Sequence, residues 1–583
     1  MRKLGFLSLL LCCAAQAQTV NVTVDVTSQV HPFSPLIFGV AGYGSFSPQV
    51  GYTVHRWGGN STTRYNWQVD VHNTANDYYF ENIPDCTAVT CVGTPPVGNS
   101  ADTFISNAFG AAAQPLITIP TIGWKPRDDS PQNPYFAGFS VSKYGTQEPP
   151  NWWSPAVDPW DTDAGSGECL PAHNPSPNCV YYYTDYANVA HYHLINNDPA
   201  DTSTAITSTF EAQWIAHMQS VFGTAASGGV KYFSLDNEVM LWNSTHRDVH
   251  PLPPSYDEIW SSTLDYAAAI KGQEPDALVT GPVTWGYPDL FTSAQDAANC
   301  NCSDGIDRQA HGDLPFVAWY LQQVCANPLV GGKRLVDYLD LHYYPQGDNV
   351  ALSDADDAAT AGLRLRSLKE LYDPSWVSES WIADLGHGDA NHYDKPNLIP
   401  RVRAWIDAYC PGTKLAITEY NWGNDDTVSG AVAQAEALAI FAREGVDMAT
   451  RWVAPASNSM AERAFQIFLN YDGAGARVQG DSVAATSANN DQVGAYAFHL
   501  AGQRAMVLLT NKDTAASHGV VVTLSPATSG TWKLYGFDGA HAVHQVSTGS
   551  ISANTVTLSA LPPLSVNLLV VPDTDVIFKN GFD

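Results

Sequence analysis

Basic residues are scarce in this chain of 583 residues: 28 lysines and arginines stand against 58 aspartates and glutamates, a formal net charge of −30. A field of that sign repels nucleic acid and anionic membrane and suits a neutral partner. Charge of either sign is thin, at 15% of residues. Long apolar runs are missing too. The main one, Leu4 to Cys13, is too short to span a bilayer, so no membrane span is expected. No internal repeat or low-complexity tract is present, which excludes a solenoid or a linker-like chain. Cysteines number ten, and their spacing does not resemble a zinc finger. Aromatic residues, at 11%, serve sugar-binding clefts and packed cores alike and decide nothing alone.

The N-terminus reads Met1-Arg-Lys3, then the apolar run, then Ala15-Gln-Ala17. This is the pattern of a secretory signal peptide over residues 1–17, cleaved after Ala17; a lipid anchor on Cys12 is disfavoured by the bulky Leu11 before it. The chain is therefore expected to be secreted. Removal of Arg2 and Lys3 would take the charge to −32, from 26 basic and 58 acidic residues. Export makes disulfides the natural state of the remaining cysteines. Cys86 with Cys91 and Cys169 with Cys179 suit local staples. Cys300, Cys302, Cys325 and Cys410 suit two longer bridges, with pairing left open.

After the signal, Val20, Val22, Val24 and Val26 alternate with polar residues, as in a half-exposed strand. From about residue 37 to 475, apolar bursts alternate with helical stretches. The strand candidates are Ile37 to Val40, Thr53 to Gly58, Leu116 to Ile122, Tyr232 to Asn237, Ala277 to Thr284, Tyr338 to Tyr343, Leu415 to Thr418 and Ala449 to Val453. Their near-continuous apolar character fits parallel strands covered on both faces. Eight of them with intervening helices predict a (β/α)8 TIM-like barrel, so the fold class is α/β. Helix signals include a capping box, Ser255-Tyr-Asp-Glu258, and a core-facing stripe of Ile206, Phe210, Trp214, Ile215, Met218 and Val221. Residues of about 125–199, rich in Pro, Trp, Tyr, Asn and Asp, read as a long ordered loop over the barrel mouth. Residues 476–571 switch to short alternating strands, an all-β sandwich domain that the N-terminal strand in 18–36 is expected to join. Residues 572–583 form a polar tail with no physical account.

Chemistry points to two glutamates. Tyr232-Phe-Ser-Leu-Asp-Asn-Glu238 and Lys414-Leu-Ala-Ile-Thr-Glu419 each run a buried strand into an acidic end. In a barrel these C-terminal strand ends face one site. On this count Glu238 ends strand 4 and Glu419 ends strand 7, across the barrel from each other. A retaining glycosidase needs such a pair, ~5–5.5 Å apart, one as acid and base and the other as nucleophile. A lone strand-end glutamate is more often an ion-pair partner. Two of them, both near tryptophans and one preceded by Asn237, favour catalysis.

Several segments carry a more specific likeness. They are Val54-His-Arg-Trp-Gly-Gly-Asn60 with Thr63-Arg-Tyr-Asn-Trp67, Ser234-Leu-Asp-Asn-Glu238 with Leu241-Trp-Asn-Ser-Thr-His246, Gly281-Pro-Val-Thr-Trp285, Asp340-Leu-His-Tyr-Tyr-Pro345, and Ile417-Thr-Glu-Tyr-Asn421. In this order, over about residues 30–500, the chain resembles glycoside hydrolase family 44. One departure is Val239, where the family usually has proline; that position shapes a loop and is not reactive. The resemblance implies a retaining endo-β-1,4-glycanase built as a barrel plus a β-sandwich, with Glu238 as acid/base and Glu419 as nucleophile. It implies no required cofactor and no catalytic metal, and it allows a structural calcium.

Supporting residues follow from position. Asn237 is placed to bond a sugar 2-hydroxyl, with a loop cap as the competing reading. Arg56 would keep Glu419 ionised, or be a plain structural ion pair. His342 and Tyr344 end strand 6, Trp285 ends strand 5 and Trp452 ends strand 8, where they would shape the sugar subsites. Core packing competes for each tryptophan. Trp57 and Asn60 fall in the same region, with Gly58 and Gly59 permitting close backbone approach. His191-Tyr-His193 lacks a third metal ligand in view. Asn424-Asp-Asp426 and Asp354-Ala-Asp-Asp357 are the acidic stretches nearest to a calcium site, against a reading as solvated loop charge. The sequons at Asn60 and Asn243 lie in the expected cleft and are discounted. The reading is a monomeric secreted hydrolase of a polysaccharide, a β-1,4-glucan such as cellulose or xyloglucan, without nucleic-acid or membrane partners. Its rivals are a mannanase or xylanase on the same scaffold, and a non-catalytic carbohydrate-binding protein.

Overall fold

A computed structural model describes residues 19–42, 50–86, 92–149, 155–170, 178–184, 189–300, 305–328, 332–385 and 393–572. The expected signal peptide, the C-terminal tail from residue 573, Cys91 and Cys302 lie outside the described residues.

Eight parallel strands close into a barrel: Gly39–Ala41, Val54–Trp57, Gln114–Ile119, Tyr232–Leu235, Leu278–Thr284, Tyr338–His342, Lys414–Glu419 and Met448–Arg451. All eight coincide with the apolar bursts of the sequence. The ring closes where Thr450 of the eighth strand lies opposite Gly39 of the first. At its N-terminal end Val54, Leu116, Tyr232, Tyr338, Ala416 and Met448, from six different strands, meet in a small buried cluster. That cluster plugs the barrel floor, as side-chain layers do in this architecture.

Above the floor the interior turns polar. Asp340 of the sixth strand accepts from Thr280 of the fifth and from Thr418 of the seventh, the latter at 2.6 Å. Two strands carry an extra residue near the mouth. The pairing slips between Pro282 and Thr284, and it slips again where His342 pairs Glu419 after Leu341 pairs Ile417. Such bulges redirect side chains. Here the second one lets consecutive residues, Thr418 and Glu419, both face inward.

The helix Ser208–Phe222 buries Glu211, Trp214, Ile215 and Met218, whereas Val221, expected in the stripe, is 50% exposed. The helix Tyr256–Gln273 is capped by Ser255, which accepts from the Glu258 amide at 3.2 Å. The reciprocal half of the expected capping box is diverted, since Glu258 Oε1 lies 2.7 Å from His250 Nε2. Two disulfides are described. Cys169–Cys179 is the local staple, and Cys325–Cys410 ties the ends of helices Phe316–Ala326 and Leu398–Tyr409.

The second unit is a mostly antiparallel sheet whose core draws on both ends of its strand order, so it folds over on itself as a sandwich. Strand Thr19–Asp25 lies inside it, antiparallel to Asp481–Ser487 and parallel to His518–Ser525. Helix Val428–Arg443 is buried along its length between barrel and sandwich. Its Glu436 accepts from Tyr496 at 2.8 Å, Thr510 at 3.0 Å and Lys512 at 2.8 Å, all from the sandwich side.

Burial pushes Asp340 up to about 6, against the hydroxyl bonds that pull it down. The folded state therefore holds this proton more tightly than the unfolded chain does. Stability from this group is full below the unfolded value near 3.8 and is lost as pH rises to about 6. Asp340→Asn removes the titration. Its melting temperature is expected to gain on the parent's between pH 4 and 7, by an equivalent of at most ~3 kcal/mol. An offset that does not change with pH would disprove this assignment.

Candidate active site

The site forms where the fourth strand ends. Asp236 and Glu238 both adopt left-handed backbone, at φ 67° and 49°, a conformation that costs a non-glycine residue roughly 1–2 kcal/mol. The buried Asp236 carboxylate holds this turn. It accepts from Thr63 Oγ1 at 2.6 Å, from the Thr121 and Ile122 amides at 2.6 and 3.1 Å, and from the Asn237 amide at 2.8 Å. Loops after the second and third strands are thereby pinned to the fourth, and Glu238 is turned toward the barrel axis.

Glu419 arrives from the opposite wall on its bulge. Arg56 Nη1 donates to its Oε1 at 2.6 Å, and the Tyr344 hydroxyl donates to Oε2 at 2.8 Å. Arg56 is fully buried and spends its second nitrogen on Asn237 Oδ1 at 2.8 Å. The Gly59 amide donates to the same oxygen at 3.2 Å. The Asn237 amide nitrogen donates to Asn60 Oδ1 at 3.3 Å. Asn60 in turn donates to the exposed Asp77. A side chain at Gly58 would collide with the Arg56 guanidinium, and one at Gly59, where φ is 103°, would collide with the Trp452 ring. Close approach here thus requires both glycines.

His342 sits between the two acids. Its Nδ1 is 2.9 Å from Glu238 Oε1 and 3.5 Å from Glu419 Oε2. Burial first, and the Arg56 charge second, keep the imidazole well below its ordinary pKa, so the ring is neutral. One oxygen of Glu238, one of Glu419 and this nitrogen all lie within 4.8 Å of one another. A cation held there would compete with the guanidinium already on Glu419, so the donor set suits a proton and a bound hydroxyl better than a metal.

The two acids differ in environment. Among the described residues, Glu238, 16% exposed at its side chain, has only His342 within ion-pair distance, and that ring is neutral. Burial, then the Glu419 charge, push its pKa well above the carboxylate range, with Arg56 pulling the other way. Glu419, 7% exposed, has a guanidinium and a phenol directly on it. Tyr344 itself is pushed well up by burial and by Glu419, so it keeps its proton and donates. Glu238 is thus built to hold a proton, while Glu419 is held by two donors.

Of the ten residues read from sequence, Glu238, Glu419, Arg56, Asn237, Asn60, His342 and Tyr344 form one bonded network. Trp452 stands over Gly59 at its edge, and Trp285 is half-buried beside it in the loop after the fifth strand. Trp57 corrects the expectation. It is 3% exposed and packs edge-on against Tyr65 and Phe104, in the core outside the barrel. Side chains alternate across a strand, so with Arg56 facing in, Trp57 faces out. Sequence reasoning missed Asp236, which sits inside the quoted motif, and Asp289, a buried carboxyl that accepts from the Trp285 amide at 3.1 Å. The acidic stretches do not fit calcium. Asp425 pairs with Arg451, Asp356 is held by Arg364 and Ser429, and Asn424 donates to the Asp354 carbonyl. His193 lies 3.0 Å from Glu168, whose other partner is Arg247 at 2.8 Å, an ion-pair chain in place of a metal site.

Residues 71–347 match the family described as glycoside hydrolase family 44. The chain is 36% identical to the solved structure of CelM2, a bifunctional glucanase-xylanase from a metagenome library. The match covers 96% of this chain and 100% of that one, with a TM-score of 0.84. It is 28% identical over 556 residues to the β-mannanase/endoglucanase A of Caldicellulosiruptor saccharolyticus, of which it spans 36%. A Paenibacillus polymyxa xyloglucanase of the same family, solved with xyloglucan, shares the fold at 22% identity, with a TM-score of 0.73 over 95% of this chain and 100% of that one.

Replacing Arg56 tests the network. Arg56→Gln would leave Glu419 buried without its countercharge, and such losses cost ~3–5 kcal/mol. Denaturant unfolding is expected to show that drop. Arg56→Lys should recover only part of it, because an ammonium cannot fork between Glu419 and Asn237. Unchanged stability in both variants would make the pair dispensable.

Proposed function

The chain belongs to glycoside hydrolase family 44, and from that membership we propose that it is a secreted, retaining endo-β-1,4-glucanase acting on neutral β-glucans such as xyloglucan and cellulose. The observation that carries the mechanism is the opposed pair of carboxylates with oxygens inside 4.8 Å and unlike surroundings. Retaining enzymes space the pair at ~5–5.5 Å, and inverting ones at ~6.5–9.5 Å to admit a water.

Glu419, held in place by Arg56 and Tyr344, attacks the anomeric carbon as nucleophile. Glu238 gives its proton to the departing glycosidic oxygen as that bond breaks. The ester so formed removes the negative charge at Glu419, and with it the repulsion that held the proton on Glu238. Glu238 then takes a proton from water, which attacks the same carbon and frees the sugar. Two inversions leave the anomeric configuration unchanged. His342 orients the Glu238 carboxyl, and the Asn237 amide nitrogen is offered to the sugar 2-hydroxyl, a bond that strengthens in the transition state. The glucan preference is supported by the names of the relatives. These also speak for activity on xylan and mannan on the same scaffold. Export is supported by Cys169–Cys179 and Cys325–Cys410, bridges that belong in an oxidising compartment.

Reducing-sugar release from carboxymethylcellulose and xyloglucan should fall about 10⁴-fold in Glu238→Gln and in Glu419→Gln, and NMR of early products should show the β-anomer first. Added azide separates the roles on an aryl glycoside: Glu238→Ala should give a β-glycosyl azide and Glu419→Ala an α-glycosyl azide. Initial α-product, or near-parental activity in either Gln variant, would refute the mechanism.

The pH profile follows from Glu238. Only its protonated form can act as acid, and its pKa is raised, so kcat/KM should hold through the ordinary carboxylate range. It should fall about tenfold per pH unit above the shifted value. An alkaline limb already falling near pH 4–5 would contradict this.

A further inference from the structure

The hydrogen bonds that start at Arg56 run on past the two acids. Arg56 Nη2 and the Gly59 amide both donate to Asn237 Oδ1, so the Asn237 nitrogen is the end that must donate onward. It donates to Asn60 Oδ1 at 3.3 Å. Asn60 Nδ2 donates in turn to Asp77, 3.1 Å from Oδ1 and 3.2 Å from Oδ2. Every bond in this chain points the same way, from a buried guanidinium to a carboxylate. Bonds aligned between opposite charges polarise and strengthen one another.

Asp77 is set in place by a demanding loop. Ala75, Tyr79 and Phe80 all take left-handed backbone, at φ 54°, 44° and 56°, which is unfavourable for residues that carry a Cβ. Asn73 holds that loop together. Its Nδ2 donates to the Phe80 carbonyl at 2.9 Å, and its Oδ1 accepts from the Ala75 amide at 2.9 Å. The turn Ala75–Asp77 packs against helix Trp242–Thr245, which follows Glu238. Asp77 is nonetheless an exposed residue, and among the described residues its side chain accepts only from Asn60.

We propose that Asp77 is a further positioning residue of this site, the anionic end of a chain that holds Asn60 against Asn237 and so sets the plane of the Asn237 amide. An amide nitrogen carries two protons. With one committed to Asn60, the other keeps a fixed direction for a sugar hydroxyl. The assignment rests on the two-glutamate mechanism above.

A third carboxylate also acts through its charge. Among the described residues, the charged and titratable groups that face Glu238 are Glu419, Arg56, Asp289, Tyr344, His342 and Asp77. Arg56 is the one cation in that set. The Asp77 charge adds to that of Glu419 in favouring the protonated form of Glu238. Enclosure of its inward-turned carboxyl raises the pKa of Asp77 itself, the Asn60 bond lowers it, and the Glu419 charge raises it.

The pH dependence of kcat/KM separates this role from plain support of a loop, measured on the better substrate of xyloglucan and carboxymethylcellulose. Asp77→Asn keeps an acceptor for Asn60 and removes only the charge. Its alkaline limb is expected to move to lower pH by about half a unit, with a plateau within about threefold of the parent's. Asp77→Ala removes the acceptor as well, and its kcat should fall about tenfold or more with KM little changed. In an Asn60→Ala background the same change should cost little further in kcat, because the two residues act as one unit. An unmoved limb, a plateau in Asp77→Ala equal to the parent's, or a full second loss in the double variant would each overturn the assignment and leave the glutamate mechanism standing. A parent inactive on both polymers would overturn the functional reading, and this role with it.

Discussion

Everything at this site depends on one buried guanidinium. Two carboxylates with oxygens inside 4.8 Å cannot both stay ionised in a low-dielectric pocket without a cation. Arg56 supplies it asymmetrically, because it touches Glu419 and not Glu238. That single contact makes the acids inequivalent before any substrate arrives. The same side chain reaches Asn237, and so ties the second, fourth and seventh strands at the barrel mouth. Stability and polarity of the site are therefore one problem with one solution. Electrostatic preorganisation of this kind needs no rearrangement at the moment of reaction.

Much of the fold was legible in the chain because parallel strands buried on both faces leave an unbroken apolar signature. Eight such bursts, spaced by helical stretches, leave few alternatives to a barrel. The glutamates were legible only as a pair, since one alone at the end of a buried burst is more often an ion-pair partner, and two such ends converge at one mouth of a barrel. What escaped was what depends on direction or on partners. Trp57 fails as a cleft residue through simple alternation with Arg56, a signal that was present and not applied. Glu419 faces inward only because of the bulge at Thr418, and nothing in Lys414-Leu-Ala-Ile-Thr-Glu419 announces an extra residue. Asp289 accepts from the Trp285 amide, and Glu258 turned to His250 in place of its own cap. Pairings of that kind exist only once the chain has folded.

The sandwich is more than an appendage. Helix Val428–Arg443 follows the strand that carries Glu419, and every residue from Ser429 to Ala442 is buried. The partners of Glu436 in the sandwich give a buried carboxylate three donors, without which its desolvation would be strongly unfavourable. Packing of the second unit is thus felt one element away from Glu419. This gives the barrel a rigid back wall behind its seventh strand.

Strand Thr19–Asp25 is made long before its partners, since Thr19 lies opposite Gly519. A nascent chain leaving the ribosome must carry this unpaired edge while the whole barrel is built behind it. Only when the residues near 480–525 emerge can the strand be enclosed on both sides. Such distant pairings are slow to form, and an open edge rich in valine invites pairing with neighbouring chains. The exposure of this chain to misassociation during synthesis therefore lasts as long as that strand waits for its partners.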